Sequence, residues 1–439
     1  MSSQERSVTV VVRGHVQGVG FRWWTRQVLG SLSLTGGAEN LPDGTVRVVA
    51  SGAAEAVDEL VATLGSGRAP GHVEGVDVVS DRPVPSGPPP LGTTAVTLGA
   101  PPADDPVRRT PDHEVVVVGG GPAGLSAALV LGRSRRSVVV LDDDTPRNRF
   151  AARMHGYLGH DGTSPADLRA RAEDELARYG VEVRRARAER LVPAPTESLV
   201  EVVLDDGRSL TARRVLVATG LVDELPDVPG VADRWGRDVL HCPYCHGWEV
   251  RDARLVVLAR AVDEAEKALT VRQWTGAVTL VLDGPSPADL PEVTARRLDA
   301  TGVDVVAGHA QEVVVEADRI TGLRLDDGRV LPCDALVVQP RVRARDELLV
   351  QVGVERVDGP AGSFVVTDGT GATGVPGVWA TGNVCEPQAQ VVVAAAEGYR
   401  AAVAIDHDLV LEDADAAVLA AEGSSDERGP GRLADDDAP

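Results

Sequence analysis

A glycine-rich turn between an apolar strand and a helix constrains the fold of this chain more than any other feature. The apolar run Val115 to Val118 is followed by the six residues Gly119, Gly120, Gly121, Pro122, Ala123 and Gly124. A helical stretch, Ala127 to Gly132, comes next. Glycine lets the backbone approach a pyrophosphate, and the N-terminus of the helix favours its charge. The fingerprint therefore predicts the start of a βαβ unit that binds a dinucleotide.

Three later positions agree with this prediction. Asp142 ends the next strand, where an acid can hold the adenosine ribose. Thr219 and Gly220 follow the strand Val215 to Val217. Gly382 and Asn383 precede a helical run of small residues. The last two places resemble the later FAD contacts of the pyridine nucleotide-disulfide oxidoreductases.

A proline-rich stretch divides the chain. Between Asp81 and Pro111 lie nine of the 29 prolines, a composition typical of a stiff linker. We predict a small α+β domain over 5–98, a linker over 99–112, a dinucleotide-binding domain in two parts over 113–225 and 349–412, a middle domain over 226–348, and a disordered acidic tail over 413–439.

A second glycine-rich loop lies near the N-terminus. A strand-like segment leads into His15, Val16, Gln17, Gly18, Val19 and Gly20. Closely spaced glycines let successive backbone N–H groups turn toward one anion, and Arg22 offers a fork of donors that suits phosphate oxygens. Asn40 offers an amide that can hold a water. The pattern predicts a phosphate site with a placed nucleophile.

These residues closely resemble the acylphosphatase family, which matches Val16 to Arg22 and the Asn-x-x-Asp-Gly turn at Asn40 to Gly44. The resemblance implies a ferredoxin-like βαββαβ sandwich that hydrolyses a small acyl phosphate. It gives phosphate binding to the loop from His15 to Gly20, charge stabilisation to Arg22 and orientation of the water to Asn40. Two alternatives stay open: a module that only binds an acyl or carbamoyl phosphate, and a tight turn beside a surface arginine.

The motif most specific for redox chemistry is the cysteine pair Cys242 and Cys245. Two cysteines three positions apart at a helix start can close a small disulfide, and the helix dipole favours a reactive thiolate. His246 can carry a proton near neutral pH. Zinc held by the pair with His241 and His246 is an alternative, although four ligands within six residues cannot easily surround one metal. Simple burial of both thiols is another.

With the fingerprint upstream, the region from about His113 to Val410 resembles the low-molecular-weight thioredoxin reductases of the pyridine nucleotide-disulfide oxidoreductases. The resemblance implies an α/β flavoprotein with FAD-type and NAD(P)-type Rossmann-like domains, usually a homodimer. It implies that Cys245 faces the flavin and Cys242 meets the substrate. The implied FAD contacts are Gly119, Gly121, Pro122, Ala123, Gly124, Asp142, Thr219, Gly220, Gly382 and Asn383. Asn383 stands where most members have Asp, and an amide can still hydrogen-bond there.

Two features depart from the reductase pattern. His246 replaces the usual Asp, and the Cys-x-x-Cys-His-Gly form looks more like dithiol oxidases that close disulfides in small natural products. The stretch Ala259 to Lys267, where a second fingerprint should bind NAD(P)H, has no glycine and three acids. Use of NAD(P)H is therefore an open question. Three hypotheses for the function of this region follow. It is a dithiol oxidase, an NAD(P)H-dependent disulfide reductase for a small molecule or a thioredoxin-like protein, or a non-catalytic flavin redox sensor.

Charge and hydropathy limit the partners. A formal net charge of −22 disfavours nucleic acid and anionic lipid surfaces. No apolar run approaches the roughly 20 residues that span a bilayer, and no secretory signal precedes the first strand, so a cytoplasmic protein is expected. No metal site is predicted, and Cys333 and Cys385 are interpreted as core residues.

Overall fold

The computed structural model describes residues 5–16, 21–32, 34–41, 44–66, 69, 72–83, 110–194 and 199–426. They belong to two compact units, Met1–Val107 and Arg108–Pro439.

The first unit packs two helices on an antiparallel sheet. Its elements are β1 (Glu5–His15), α1 (Phe21–Ser31), β2 (Thr35–Asn40), β3 (Val46–Ala53), α2 (Ala54–Leu64) and β4 (His72–Pro83). Alternate residues of β1 and β3, such as Val10 and Val48, are buried against Phe21 and Leu60 of the helices, as expected for a sheet with one covered face.

The strand order in this sheet is β2-β3-β1-β4. Strand β3 is antiparallel to both β1 and β2. Strands β1 and β2 therefore run parallel to each other, and their C-terminal ends lie at the same end of the sheet. The predicted phosphate loop follows β1, and Asn40 ends β2. The topology therefore brings these two parts of the predicted site to the same edge.

The first and last segments of the second unit together form one mixed sheet. Its strand order is β7-β6-β5-β10-β9-β8, and β23 also pairs with β10. Helices α3 and α10 cover one face, and the central strands are buried throughout, as parallel strands covered on both faces are. The elements of this part are β5 (His113–Val118), α3 (Pro122–Arg133), β6 (Val138–Asp142), α4 (Pro165–Ala177), β7 (Glu182–Arg185), β8 (Ala188–Pro193), β9 (Val200–Leu204), β10 (Ser209–Val217), β11 (Leu221–Glu224), β20 (Arg341–Ala344), α9 (Glu347–Gln351), β21 (Arg356–Gly359), β22 (Gly362–Val365), β23 (Val378–Ala380) and α10 (Val391–Asp426), with 3-10 turns at Arg147–Phe150 and Gly382–Val384.

A middle part is inserted between β11 and β20, which pair as an antiparallel ribbon. It contains a parallel sheet of order β12-β19-β13-β14-β15 and an antiparallel sheet β16-β17-β18. Its elements are α5 (Val231–Arg234), β12 (Val239–Leu240), α6 (Pro243–His246), β13 (Leu255–Ala259), α7 (Lys267–Val271), β14 (Val278–Leu282), α8 (Glu292–Ala300), β15 (Asp304–Ala307), β16 (Ala310–Glu316), β17 (Arg319–Leu325), β18 (Val330–Pro332) and β19 (Ala335–Val338), with 3-10 turns at Val262–Glu266 and Pro287–Asp289.

The last helix is longer than the sequence suggests. The predicted disordered tail over 413–439 is wrong in its first part, because α10 continues to Asp426; residues 427–439 lie outside the described part. Acids on α10 pair with arginines of the sheet: Arg214 with Asp408 and Glu412, and Arg213 with Asp413. These ion pairs hold the helix as far as Asp413, the first residue of the predicted tail.

Candidate functional site

The glycines in the turn between β5 and α3 have two different structural roles. Gly119 has φ +112°, and a Cβ there would lie 2.4 Å from the Ala218 carbonyl oxygen. A Cβ on Gly124 would lie 2.0 Å from the Gly119 carbonyl oxygen. Nothing lies within 4 Å of a Cβ placed on Gly121. Gly119 and Gly124 therefore close the turn, while Gly121 leaves its outer face open.

Asp142 is 6% exposed at the end of β6. Its Oδ1 accepts the Gly120 N–H at 3.1 Å, and its Oδ2 pairs with Arg169 and, at 2.9 Å, with Arg185. The carboxylate thus ties the glycine turn to α4 and β7 as well as facing the site. The sequence signal, an acid after the second strand, contained no hint of the two arginines.

The ends of β10 and β23 meet the glycine turn from the other side. Thr219 donates its hydroxyl to the Arg345 carbonyl at 2.6 Å, and Gly220 has φ +72°. Asn383 donates from Nδ2 to the carbonyls of Glu386 and Ala389, at 2.9 and 3.0 Å. An aspartate at this position could not donate these bonds. The departure from Asp at residue 383 therefore has a local role in holding the loop before α10.

One cavity of about 1020 Å³ joins these pieces to the cysteine pair. Eight of the ten predicted FAD contacts line it: Gly119, Gly121, Pro122, Ala123, Asp142, Thr219, Gly220 and Asn383. The other two, Gly124 and Gly382, are packing positions; a Cβ on Gly382 would lie 2.8 Å from that of Ala123. Cys242 and His246 line the same cavity.

Cys242 and Cys245 form a disulfide, with their Cα atoms 5.3 Å apart. Gln390, just before α10, spans the pair: its Oε1 lies 3.2 Å from Cys245 Sγ and its Nε2 lies 3.8 Å from Cys242 Sγ. Only Cys242 of the two is among the described residues that line the cavity. The helix that follows, α6, is a single turn of four residues. The dipole expected to favour a thiolate is therefore weak, since a macrodipole needs aligned turns.

His246 lies at the end of α6 and faces the cavity. Burial lowers its pKa, and the charge of nearby Glu249 opposes that effect. His155 lies between two acids, with Nε2 3.3 Å from Glu249 and Nδ1 3.4 Å from Asp161. Because His246 is held neutral, it is able to accept a proton beside the disulfide.

Three further residues that line the cavity were not found by sequence reasoning. Arg147 makes a bidentate pair with Asp223 at 2.8 and 2.7 Å, and its Nη1 lies 3.4 Å from Asn383 Oδ1. Arg345 donates to the Thr145 hydroxyl at 2.7 Å. Lys267 contacts His241 and Gln339. Each lies in a stretch without a recognisable motif, so only the folded chain brings them to the cavity.

The predicted nucleotide crevice of the middle part is closed by its own side chains. In the order β12-β19-β13-β14-β15, the direction of succession reverses between β13 and β19, which is where open α/β sheets bind nucleotides. There the Arg260 N–H donates to the Glu264 carboxylate at 2.7 Å, and the Arg260 guanidinium donates to the Gln339 carbonyl at 3.1 Å. An internal carboxylate thus takes the N–H that a pyrophosphate oxygen would need.

The predicted phosphate site in the first unit is described in part. Arg22 lies in the first turn of α1, directly after Phe21, and Asn40 ends β2. Gly14 has φ +123°, and a Cβ there would lie 2.1 Å from the His72 carbonyl oxygen. Val16 is buried. Gln17, Gly18, Val19 and Gly20 lie outside the described residues, as do the side chains of His15, Arg22 and Asn40.

The described part of the chain has neither a candidate membrane span nor a candidate metal cluster. None of its helices combines the length and apolar character needed to cross a membrane. None of its His, Cys, Asp and Glu side chains gathers in a group of three or more suited to a metal ion.

Comparison with known proteins places both units. Residues 113–398 match the family described as pyridine nucleotide-disulphide oxidoreductase, and residues 8–86 match the family described as acylphosphatase. "Thioredoxin reductase sirT" of Leptosphaeria maculans is 33% identical over 302 residues, covering 66% of this chain and 91% of that protein. The crystal structure of HlmI is 44% identical with a TM-score of 0.67, covering 71% of this chain and 97% of that one. The oxidoreductase from Agrobacterium tumefaciens is 33% identical with a TM-score of 0.63, covering 68% and 99%.

Proposed function

Because the chain belongs to the pyridine nucleotide-disulphide oxidoreductase family, we propose that its second unit is an FAD-dependent enzyme that exchanges thiols and disulfides through Cys242 and Cys245. The observation that carries the proposal is the shared cavity, which is lined by the predicted FAD contacts and by Cys242. A cysteine pair in the same cavity as a flavin can, once it is reduced to the dithiol, pass electrons to the flavin without a mobile carrier.

The residues of the cavity fit the dinucleotide. The open face at Gly121 is a place that any side chain would fill, and it lies at the N-terminus of α3, which favours a phosphate. Arg345 and Thr219 lie along the same wall. A bound FAD would supply a two-electron acceptor beside the cysteine pair.

We infer that the physiological direction is oxidation of a dithiol. The family and its thioredoxin reductase relatives imply NAD(P)H, but the crevice between β13 and β19 does not fit a pyridine nucleotide. Its backbone N–H is taken by Glu264, and Arg260 bridges to Gln339 across the opening. The acids of this loop would also repel a pyrophosphate.

In this direction a substrate thiolate attacks one sulfur of the disulfide, and the other sulfur leaves with the electron pair. The second thiolate of the substrate then attacks the substrate sulfur of the mixed disulfide and releases the enzyme as a dithiol. His246 is placed to take up a proton from the entering thiol. The substrate is a small molecule with two thiols, or a thioredoxin-like protein in its reduced form.

The test is anaerobic mixing of the yellow holoprotein with dithiothreitol, NADPH or NADH while the visible flavin absorbance is followed. Dithiothreitol should bleach the flavin, and micromolar NADPH should leave it almost unchanged. The variants Cys242→Ser and Cys245→Ser should each stop bleaching by the dithiol. Rapid, saturable bleaching by NADPH would restore the reductase assignment, and dithiol bleaching that survives in both variants would remove the cysteine pair from the mechanism.

We propose that the first unit hydrolyses a small acyl phosphate. Support comes from the order of its elements and strands, which is that of a ferredoxin-like βαββαβ sandwich, and from the shared edge of the loop after β1 and Asn40. A charged donor and a held water suffice for an already reactive mixed anhydride.

A further inference from the structure

The chain contains one lysine, and it lies in the cavity. Lys and Arg together number 44 in the sequence, and all of them except Lys267 are arginines. Lys267 is the first residue of α7, directly after the loop that replaces the second nucleotide fingerprint. An arginine is always charged, whereas a partly buried lysine can gain and lose its proton. The site therefore uses the one titratable long cation that the chain has.

The contacts of Lys267 hold its amine in place. Its Nζ lies 3.3 Å from His241 Nδ1 and 3.4 Å from the His241 carbonyl oxygen, and it donates to Gln339 Oε1. Burial lowers the pKa of Lys267 to about 8. Burial, with the adjacent Lys267 charge, lowers the pKa of His241 to about 4. His241 is therefore neutral, and its Nδ1 also lies 3.4 Å from the Val338 carbonyl oxygen, so every one of these partners of the ammonium is neutral.

Cys242 follows His241 in the chain. The contact between Lys267 Nζ and the His241 carbonyl oxygen therefore limits the distance from Lys267 Nζ to Cys242 Sγ. From standard bond lengths, Cys242 Sγ lies within about 9 Å of Lys267 Nζ. Both residues line the cavity. The single-turn helix α6 adds little field of its own. A negative charge on Cys242 would therefore depend on side chains for its stabilisation.

Other charges near the pair already have opposite partners. Arg147 is held by both oxygens of Asp223. His246 and His155 lie beside Glu249, and His155 also contacts Asp161. Glu264 acts on Lys267 from the preceding turn, but its carboxylate accepts the Arg260 N–H. Lys267 remains as the cation near Cys242 whose hydrogen-bond partners carry no charge.

We propose that Lys267, held by His241 and Gln339, is the positioning residue whose charge stabilises the thiolate formed at Cys242 when the disulfide opens. The inference rests on the proposed thiol-disulfide chemistry. In the step concerned, a substrate thiolate bonds to Cys245 Sγ, the Cys242–Cys245 bond breaks, and the electron pair leaves on Cys242 Sγ. This assignment reverses the roles that the family resemblance implies for the two cysteines, because Cys242 is the one that lines the cavity. In the reverse step the same thiolate is the nucleophile, so the charge serves both directions.

A single lysine makes the test direct. Holoprotein labelled with ¹³Cε-lysine has one lysine resonance, whose titration is followed in the oxidised protein and after reduction of the disulfide by dithiothreitol without oxygen. If Lys267 and the thiolate interact, the pKa of Lys267 rises on reduction by about one unit at a separation of 9 Å. Cys245→Ser has no disulfide and a free thiol at Cys242, so its lysine should already show the raised pKa before reduction, whereas Cys242→Ser should keep the pKa of the oxidised protein. An identical lysine titration in oxidised and reduced protein overturns the proposal.

The reciprocal effect must appear on the thiol, because coupling between two sites is symmetric. In Cys245→Ser holoprotein, the pH dependence of iodoacetamide alkylation at Cys242, read by peptide mass spectrometry, gives the thiol pKa. Lys267→Met should raise this pKa by about one unit, a tenfold loss of thiolate near neutral pH, and Lys267→Arg should restore it. Arg260→Met is the matched control, since Arg260 bonds to Gln339 but not to His241 among the described contacts.

An unchanged thiol pKa in a folded Lys267→Met protein contradicts the proposal. The buried thiols of Cys333 and Cys385 do not interfere, because burial raises the pKa of each to about 12. Neither measurement requires turnover. A protein that shows the coupling but does not oxidise dithiols refutes the proposed function alone, and one that oxidises dithiols without the coupling refutes only the role of Lys267.

Discussion

Gly119 and Gly121 belong to one turn but differ in what a side chain would meet. At Gly119 the backbone has φ +112° and a Cβ would strike the Ala218 carbonyl, whereas at Gly121 the space is empty. The fold therefore requires glycine at residue 119, whereas the proposed FAD requires it at residue 121.

We predict that Gly121→Val folds but does not hold FAD, because its side chain occupies the open face of the turn. The apoprotein should keep its thermal midpoint while the purified protein loses its yellow colour. Gly119→Ala should instead lower the free energy of unfolding by about 3 kcal/mol, from strain and overlap together. Urea unfolding and bound flavin per chain measure the two effects. A yellow Gly121→Val protein would contradict the cofactor assignment.

Lys267 also makes stability depend on pH in a direction that can be tested. Burial lowers its pKa from 10.5 to about 8 in the folded protein. Below pH 8 the fold bears the full cost of the buried ammonium, about 3 kcal/mol. Between pH 8 and pH 10.5 the folded state releases a proton that the unfolded state keeps, so stability rises with pH.

The prediction is that wild-type protein gains stability relative to Lys267→Met as the pH rises from 8 to 10. Both proteins share every other titrating group, so their difference isolates this one. Urea unfolding at several pH values measures it. A difference in unfolding free energy that stays constant over this range would show that the pKa of Lys267 is not lowered by the fold.

At the scale of elements, α10 shows how paired charges extend a helix. Arg214 is almost completely buried between Asp408 and Glu412, and Arg213 contacts Glu412 and Asp413. Partly buried pairs that share partners are worth more than isolated surface pairs.

We expect the double variant Glu412→Gln, Asp413→Asn to lose about 1–2 kcal/mol of unfolding free energy, because it leaves two arginines short of partners. Asp415→Asn is the control, since Asp415 lies on the same helix and the ion pairs seen among the described residues do not include it. Chemical denaturation of the holoprotein measures both. Equal stability of the two variants would mean that the arginines do not hold this part of α10.

At the scale of the whole molecule, the chain contains two compact units with separate cores. The first unit has its own buried cluster around Val10 and Phe21, and the cavity with the cysteine pair lies wholly in the second. Each proposed reaction therefore uses residues of one unit.

We predict that full-length Arg22→Ala loses hydrolysis of acetyl phosphate, because the developing charge on the phosphoryl group loses its guanidinium, while Asn40→Ala mainly lowers kcat by releasing the water. Neither variant should change flavin reduction by dithiothreitol, and Cys242→Ser should leave acetyl phosphate hydrolysis intact. Phosphate release without added metal is the assay. Activity that survives in Arg22→Ala would leave a ligand-binding module as the better description of the first unit.

The sequence by itself determined the family, and it named eight residues that line the cavity as FAD contacts. Glycines that permit close backbone approach, and an acid after the second strand, are local requirements, so Gly119, Gly121 and Asp142 could be named from spacing. The cysteine pair is likewise local, with its members three positions apart. The lack of glycine between Ala259 and Lys267 also predicted a poor nucleotide site.

Only the tertiary structure decided which distant side chains share the cavity. Lys267 meets His241 and Gln339 because three strands of one parallel sheet end at the same edge, and no spacing in the sequence encodes that meeting. The length of α10 was hidden for the same reason, since the arginines that pair with its acids come from β10, some 200 residues earlier. Local rules act over a few residues, whereas burial and ion pairing depend on neighbours that folding alone supplies.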